Sequence, residues 1–142
     1  MTARSILGVG IAIACLTTPT LATQLMVTGP ARVIDGDTVV VAGTTVRLKG
    51  VDAAELGTAL AENARRVMEA IVTGPLTCRL TGEKTWRREV GYCVTAAGID
   101  INRAIIERGA ALACPRYDGR YVPFEQPPAL EAQPRSSYCV PR

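Results

Sequence analysis

The chain has 142 residues, with 16 lysines and arginines against 13 aspartates and glutamates, and it contains no histidine. Its length suggests one domain, and its formal net charge of +3 is weaker than that of proteins that coat DNA. The absence of histidine excludes a Ser-His-Asp triad, a Cys-His pair and a zinc ion held by histidine. An enzyme made from this sequence must therefore work with carboxylates, arginines, lysines, tyrosines or a hard metal ion.

The first residues have the layout of a secretory signal peptide. Arg4 precedes an apolar run from Ile6 to Leu16, and small and polar residues follow. We expect cleavage after Ala22, because the apolar run is short for a membrane span; an uncleaved anchor and a lipid attached to Cys15 are the alternatives. Residues 1–22 are then the signal, and residues 23–142 form a single domain that is secreted or periplasmic and free of the membrane.

The strands predicted first lie between residues 24 and 49. The stretch "LMVTGPARVI" is apolar and β-branched, and "TVVVAGTTVRL" reads as a hairpin around Ala42-Gly43. Later, "LTCRL" and "EVGYCVTA" read as two more strands, and the polar "TGEKTWRR" between them reads as a turn. These runs predict five strands in all.

Two helices interrupt or follow these strands. Apolar residues recur at helical spacing at Leu60, Ala64, Val67, Met68 and Ile71. The Gly-Pro pair at 74–75 ends this helix. An aspartate at position 100 is a good N-cap for a second helix, which a glycine at position 109 ends.

The resulting order β-β-β-α-β-β-α predicts a mainly β fold with helices, of the α+β class. Short strands with one helix after the third suit a five-stranded OB-fold barrel. The core spans about residues 24–114. Prolines recur through the tail, residues 115–142, and at this density they suit neither a helix nor an inner strand. We therefore expect an irregular tail pinned by a disulfide.

Four cysteines remain beyond the signal, and an exported chain meets an oxidising compartment, so two disulfides are expected. We predict Cys78–Cys93, because these residues lie in consecutive strands, and Cys114–Cys139, which would tie the tail to the core. The other connectivities stay open. A zinc site of four cysteines is disfavoured, because no C-x-x-C pair occurs.

Polar residues cluster around the predicted third strand. Asp37 precedes a strand, Arg47 lies inside one, and Asp52 and Glu55 follow one. Arg47 must face away from its apolar neighbours, because side chains alternate along a strand. Converging carboxylates repel one another unless a cation joins them, and Ca²⁺ takes oxygen ligands. Arginines beside such a cation suit a phosphate.

The stretch "VIDGDTVVVAGTTVRLKGVDAAE", residues 33–55, resembles the signature of the staphylococcal nuclease (thermonuclease) family. "KTWRREVG", residues 84–91, and "GIDINRAIIERGAA", residues 98–111, resemble two further motifs of that family in the same order. The resemblance implies an SNase-like OB-fold and a Ca²⁺-dependent nuclease. Such an enzyme hydrolyses phosphodiester bonds of DNA and RNA with little sequence preference, and a monomer is expected.

The resemblance also implies a metal site. Asp37 and Asp52 would ligate Ca²⁺ through their carboxylates, and Ala53 through its backbone carbonyl. Asp35 would support the site through hydrogen bonds or water.

Catalytic roles follow from the same resemblance. Arg47 and Arg88 would hold the scissile phosphate, and Glu55 would be the general base. A carboxylate base contributes about 10²–10⁴-fold in rate.

Substrate contacts are expected at the second motif, from Lys84, Trp86 and Arg87. These residues stand where the family usually has aspartate, tyrosine and glycine, and Ala54 stands where it usually has proline. A catalytically weak or inactive OB-fold domain that binds nucleic acid or another ligand is the second hypothesis.

Overall fold

The computed structural model describes residues 24–142. The predicted signal, its cleavage after Ala22 and the alternative lipid on Cys15 lie outside the described residues. The described chain is a mixed α+β fold in which most strands belong to one six-stranded sheet. Between residues 24 and 142, no helix is long and apolar enough to cross a membrane.

The strands form two sheets of unequal size. They are β1 Met26–Gly29, β2 Ala31–Val33, β3 Thr38–Val41, β4 Thr44–Leu48, β5 Val51–Asp52, β6 Leu76–Thr85, β7 Arg88–Thr95 and β8 Leu112–Ala113. The large sheet has the order β1-β6-β7-β4-β3-β2, and β5 pairs with β8. Only the β4–β7 pair is parallel among these pairings.

The described part of the chain therefore has more strands than the five predicted. The first predicted strand is divided at Pro30, whose ring nitrogen has no hydrogen to donate to a neighbouring strand. Its two halves pair with different partners, β1 with β6 and β2 with β3. The short strands β5 and β8 pair Val51 with Ala113, a contact far apart in sequence that no local pattern announces.

The hairpin predicted around Ala42-Gly43 is confirmed. Val41 pairs with Thr44 across the turn, and the turn residues have φ angles of +47° and +83°. Glycine adopts such an angle without cost, and alanine does so rarely. Val39 and Val41 on one side and Val46 on the other are fully buried in the core.

The prediction that "TGEKTWRR" is a turn is wrong for most of its length. Strand β6 continues to Thr85, and only Trp86 and Arg87 form the turn. Pairing with β7 supports these polar residues as a strand, with Thr85 opposite Arg88. An ion pair between Lys84 and Glu89, at 2.8 Å, joins the two strands beside the turn.

The first predicted helix is α1, Ala59–Ile71, and its first turn is capped by the Thr58 hydroxyl, which accepts from the Ala61 N–H. Its buried side chains are Ala61, Ala64, Met68 and Ile71. The prediction that Leu60 faces the core is wrong, because Leu60 is 39% exposed. The small Ala61 takes the core-facing position next to it.

The second predicted helix is α2, Ile101–Glu107, and Asp100 caps it by accepting from the Arg103 N–H. Asn102, on its first turn, is completely buried. Its side-chain oxygen accepts from the Cys93 N–H, and its amide donates to two backbone carbonyls. Asn102 therefore ties α2 to the sheet.

Both predicted disulfides are present, Cys78–Cys93 between β6 and β7 and Cys114–Cys139 between core and tail. The prediction that the tail is irregular is wrong. It contains the helix α3, Pro127–Ala132, and two 3-10 helices, Gly119–Phe124 and Ser137–Cys139. Pro127 stands in the first turn of α3, where proline loses no hydrogen bond and its φ angle suits the helix.

Candidate active site

The "DGD" turn places a carboxylate in the interior. The Asp35 carboxylate accepts from the Asp37 N–H at 3.0 Å and closes the turn. A Cβ on Gly36 would lie 2.7 Å from Cβ of Ala64 and 2.8 Å from Cβ of Ala53. Only glycine therefore lets helix α1 and the residues after β5 pack on this turn.

Asp37 is 8% exposed, and three protein donors contact its carboxylate. One carboxylate oxygen accepts from the Thr38 hydroxyl at 3.0 Å. The other faces Nη2 of Arg47 at 2.9 Å and the Ala53 N–H at 3.3 Å. Burial raises the pKa of Asp37 to about 6, although Arg47 opposes the change; the charge of Asp35 adds to it. The buried negative charge is thus only partly compensated.

Two arginines from neighbouring strands lie beside the Asp37–Thr38 pair. Strands β4 and β7 run parallel, with Arg47 opposite Val90. Arg47 faces away from the buried core side of its strand, as predicted. Arg88, at the start of β7, donates to the Thr38 hydroxyl at 3.3 Å. The Asp37–Thr38 pair therefore orients both guanidinium groups.

Arg47, Glu55 and Arg88 line one cavity of about 550 Å³. Lys84 and Trp86 line the same cavity. These five residues were all predicted as site residues, and the fold brings them together from β4, the loop after β5, and the β6–β7 hairpin. The cavity is rich in positive charge and has two exposed carboxylates, those of Glu55 and Glu83; Glu83 is paired with Lys49.

The turn between β6 and β7 has an unusual conformation at its tip. Trp86 is 94% exposed and has a φ angle of +58°, in a region that residues other than glycine seldom occupy. The adjacent Arg87 is exposed and does not line the cavity. The substrate contact predicted for Arg87 therefore has no support from its position.

Asp52 is engaged by the tail. It is 1% exposed, and its carboxylate accepts from the Ser136 N–H at 2.7 Å and from the Ser136 hydroxyl at 2.6 Å. Its backbone carbonyl accepts from the Gln133 amide at 3.2 Å. Asp52 does not line the cavity, and its visible role is to hold the tail segment that ends at Cys139.

The oxygen donors near Asp37 suit a hard cation in type and in charge. A buried carboxylate with a raised pKa gains from a nearby positive charge. The Asp35 carboxylate accepts from the Asp37 N–H, and the backbone of Ala53 reaches the Asp37 carboxylate through its N–H. The Asp52 carboxylate could offer a cation only those lone pairs that do not accept the two hydrogen bonds from Ser136. Among residues 24–142, no cluster of three or more Asp, Glu, Cys or His side chains is placed to hold a metal. Water and carbonyl oxygens would supply the other ligands, as Ca²⁺ permits.

No protein-family model matches this sequence. The chain is 34% identical over 96 residues to the succinoglycan biosynthesis protein ExoI of Rhizobium meliloti (strain 1021). The match covers 59% of this chain and 50% of that protein. The match thus spans about half the length of this curated relative. Its name refers to biosynthesis and does not specify a reaction.

The cavity also contains a lysine and two tyrosines that were not assigned to the site from the sequence. Lys49 forms an ion pair with Glu83 on the cavity wall, and its spacing of two from Arg47 is the signal that it shares a face. Tyr117 and Tyr138 also line the cavity, and they are 54% and 41% exposed. Tyr138 reaches it only because the neighbouring cysteine ties the tail to the core.

Proposed function

We propose that this chain is a nuclease that hydrolyses phosphodiester bonds of DNA and RNA with little sequence preference. The observation that supports the proposal most is the position of Arg47 and Arg88 on adjacent strands, with Glu55 in the same cavity. Planar guanidinium groups bind phosphate oxygens in pairs. A site that only bound a strand would not need a carboxylate directed at the same cavity.

The two arginines make different contacts before substrate binds. Arg47 is held by the Asp37 carboxylate and donates to the Leu48 carbonyl at 3.1 Å, so its direction is set before substrate arrives. Among residues 24–142, the Thr38 hydroxyl is the only side-chain hydrogen-bond partner of the Arg88 guanidinium, and Arg88 can exchange that neutral partner for a phosphate oxygen. Charge grows on the phosphate oxygens in the transition state, and preorganised donors are most effective there.

Glu55 accepts the proton of the attacking water in this proposal. Its carboxylate is exposed to the cavity, so it has access to water. Ca²⁺ bound at Asp37 would polarise the phosphate and offset the charge on its oxygens. Asp37 itself would hold the cation and orient Arg47.

The sheet order supports the finer proposal of a closed OB-fold barrel. Strands β1 and β2 stand at opposite edges of the sheet order, yet only Pro30 separates them in the chain. The chain through Pro30 thus connects the two edges, and the Pro30 carbonyl accepts from the Ala42 N–H at 3.0 Å. Counting β1 and β2 as one bent strand, and β3, β4, β6 and β7 as the others, gives the five strands of that fold.

We also propose that the protein is a monomer, secreted or periplasmic. Two disulfides suit an oxidising compartment, in agreement with the signal peptide predicted for residues 1–22.

The second candidate is an OB-fold domain that binds nucleic acid or another ligand with weak or no catalysis. The engagement of Asp52 by Ser136 favours it, because a predicted metal ligand already has two donors. So does the ion pair between Lys84 and Glu89, which takes up a predicted substrate contact.

A labelled single strand incubated with and without Ca²⁺ separates the two candidates. We expect Ca²⁺-dependent cleavage that EDTA stops, and we expect Glu55→Gln to abolish most of it. Arg88→Ala should lower turnover by about 10²–10³-fold, as loss of one transition-state donor does. The control is Arg65→Ala, since Arg65 forms its ion pairs with Glu62 and Glu69 on helix α1. Binding without cleavage by the disulfide-intact protein would favour the second candidate, and equal losses in the two arginine variants would refute the site.

A further inference from the structure

A second cavity, of about 390 Å³, lies next to the candidate active site along strand β6. Residues 79–82 of β6 line this cavity, and residues 83–85 line the active-site cavity. The register of β6 against β7 shifts between Leu80 and Lys84, so Arg79 and Lys84 lie opposite Tyr92 and Glu89. These partners are three residues apart on β7, which is about 10 Å at a rise of about 3.3 Å per residue. The two cavities are therefore neighbours on one continuous element.

Two guanidinium groups in this second cavity stack on one aromatic ring. The guanidinium carbon of Arg79 is 4.7 Å from the ring centre of Tyr92, and that of Arg120 is 4.4 Å from it. Arg79 and Tyr92 are direct partners across β6 and β7. Asp118 fixes the arrangement, because it accepts from the Tyr92 hydroxyl and pairs with Arg120 at 2.7 Å. Both arginines are thus positioned before any ligand binds.

The charge of this cavity is not balanced. Arg79 takes part in none of the ion pairs found among residues 24–142. Arg120 shares the single carboxylate of Asp118 with a tyrosine hydroxyl. Two guanidinium groups therefore face the cavity against one carboxylate. Stacked guanidinium groups keep their N–H edges free, and these edges match the oxygens of a phosphate.

We propose that Arg79 and Arg120 form a distal phosphate subsite for the polynucleotide strand whose scissile bond lies in the active-site cavity. This inference rests on the proposed nuclease function. A polymer suits the arrangement better than a free anion, because a strand that leaves the first cavity along β6 passes directly over the second. The separation corresponds to about three nucleotide steps at a stacked spacing of about 3.4 Å. A strand of about four nucleotides can therefore reach both cavities, at the lower end of the span of about 4–16 nucleotides bound by one OB-fold.

The test is the salt dependence of strand binding, measured by fluorescence anisotropy in EDTA so that no cleavage occurs. The probes are labelled oligothymidylates of about 15 and about two nucleotides, from about 50 to about 200 mM salt. For the longer strand, Arg79→Ala should reduce the slope of log K against log salt concentration by about 0.7, and the double variant with Arg120→Ala by about 1.4. The shorter strand should show no change, because it cannot reach the subsite.

Two further variants keep the result interpretable. Arg79→Lys keeps the positive charge and should restore most of the slope, which separates a phosphate contact from a folding defect. Arg66→Ala removes the same charge from an exposed position on α1 that lines neither cavity, and it should leave both probes unchanged. An unchanged slope in Arg79→Ala, or an equal loss for the short and long strands, would overturn the proposal.

The inference and the proposed function fail in different ways. If the wild-type protein cleaves DNA with Ca²⁺ but Arg79→Ala binds long strands with the wild-type slope, the subsite is wrong and the nuclease proposal stands. If long strands bind with the predicted dependence on Arg79 but are never cleaved, hydrolysis is wrong and the phosphate subsite stands.

Discussion

Replacement of Asp37 by asparagine should stabilise the protein at neutral pH, although it removes the ion pair with Arg47. The reason is that ionisation of Asp37 is harder in the folded chain, where burial raises its pKa from 3.8 to about 6. At about 1.4 kcal/mol per pH unit, this difference corresponds to about 3 kcal/mol. Asparagine resembles the protonated acid and avoids that cost.

The pH dependence follows from the direction of the pKa change. Below about pH 4 the carboxyl is protonated in the folded and unfolded chains, and the two proteins should be equally stable. Between about pH 4 and 6 the unfolded chain ionises first, so the wild-type protein loses stability as the pH rises. Above about pH 6 the cost is complete, and the advantage of the variant is constant at about 3 kcal/mol.

Urea unfolding in EDTA at several pH values measures this advantage, and EDTA keeps divalent cations from stabilising the wild-type carboxylate. Asp52→Asn is the matched control. It should destabilise the protein by about 1–3 kcal/mol, because an amide cannot accept both hydrogen bonds from Ser136. The reasoning would be refuted if Asp37→Asn were no more stable than wild type at about pH 7, or if its advantage were the same at about pH 4.

Two more predictions concern the framework of the fold. Asn102→Ala should cost at least about 3 kcal/mol, because it leaves one buried N–H and two backbone carbonyls without their partner; a loss below about 1 kcal/mol in urea unfolding would contradict the role given to this side chain. The double variant Cys114→Ser/Cys139→Ser should lose about 3.5 kcal/mol, the value expected for opening a loop of 25 residues. Equal thermal stability of this variant and the oxidised wild-type protein would contradict that expectation.

Much of the framework was accessible from local sequence patterns. The β-branched runs on both sides of Ala42-Gly43 predicted the hairpin, and the Asp100 cap begins the second helix as predicted. Both cysteine pairs followed from the predicted strands and tail. These features depend on residues close in sequence, or on pairs of residues in elements that follow one another along the chain. They can therefore be predicted from the local sequence pattern.

The candidate site was predicted in part for the same reason. Arg47 and Glu55 were recognised in one continuous motif, and Arg88 in a second motif, and all three line one cavity. Their convergence still required the parallel pairing of β4 with β7, which joins segments about 40 residues apart and has no local signature.

Only the tertiary structure decided how the tail meets the site. Asp52 was predicted as a metal ligand, but Ser136 occupies its carboxylate from 84 residues away. The same docking brings Tyr138 to the cavity, and the neighbouring 3-10 helix brings Arg120 over Tyr92. A sequence specifies which groups can donate and accept. Which donor binds a buried carboxylate depends on how segments distant in sequence pack together, and this packing exists only in the folded chain.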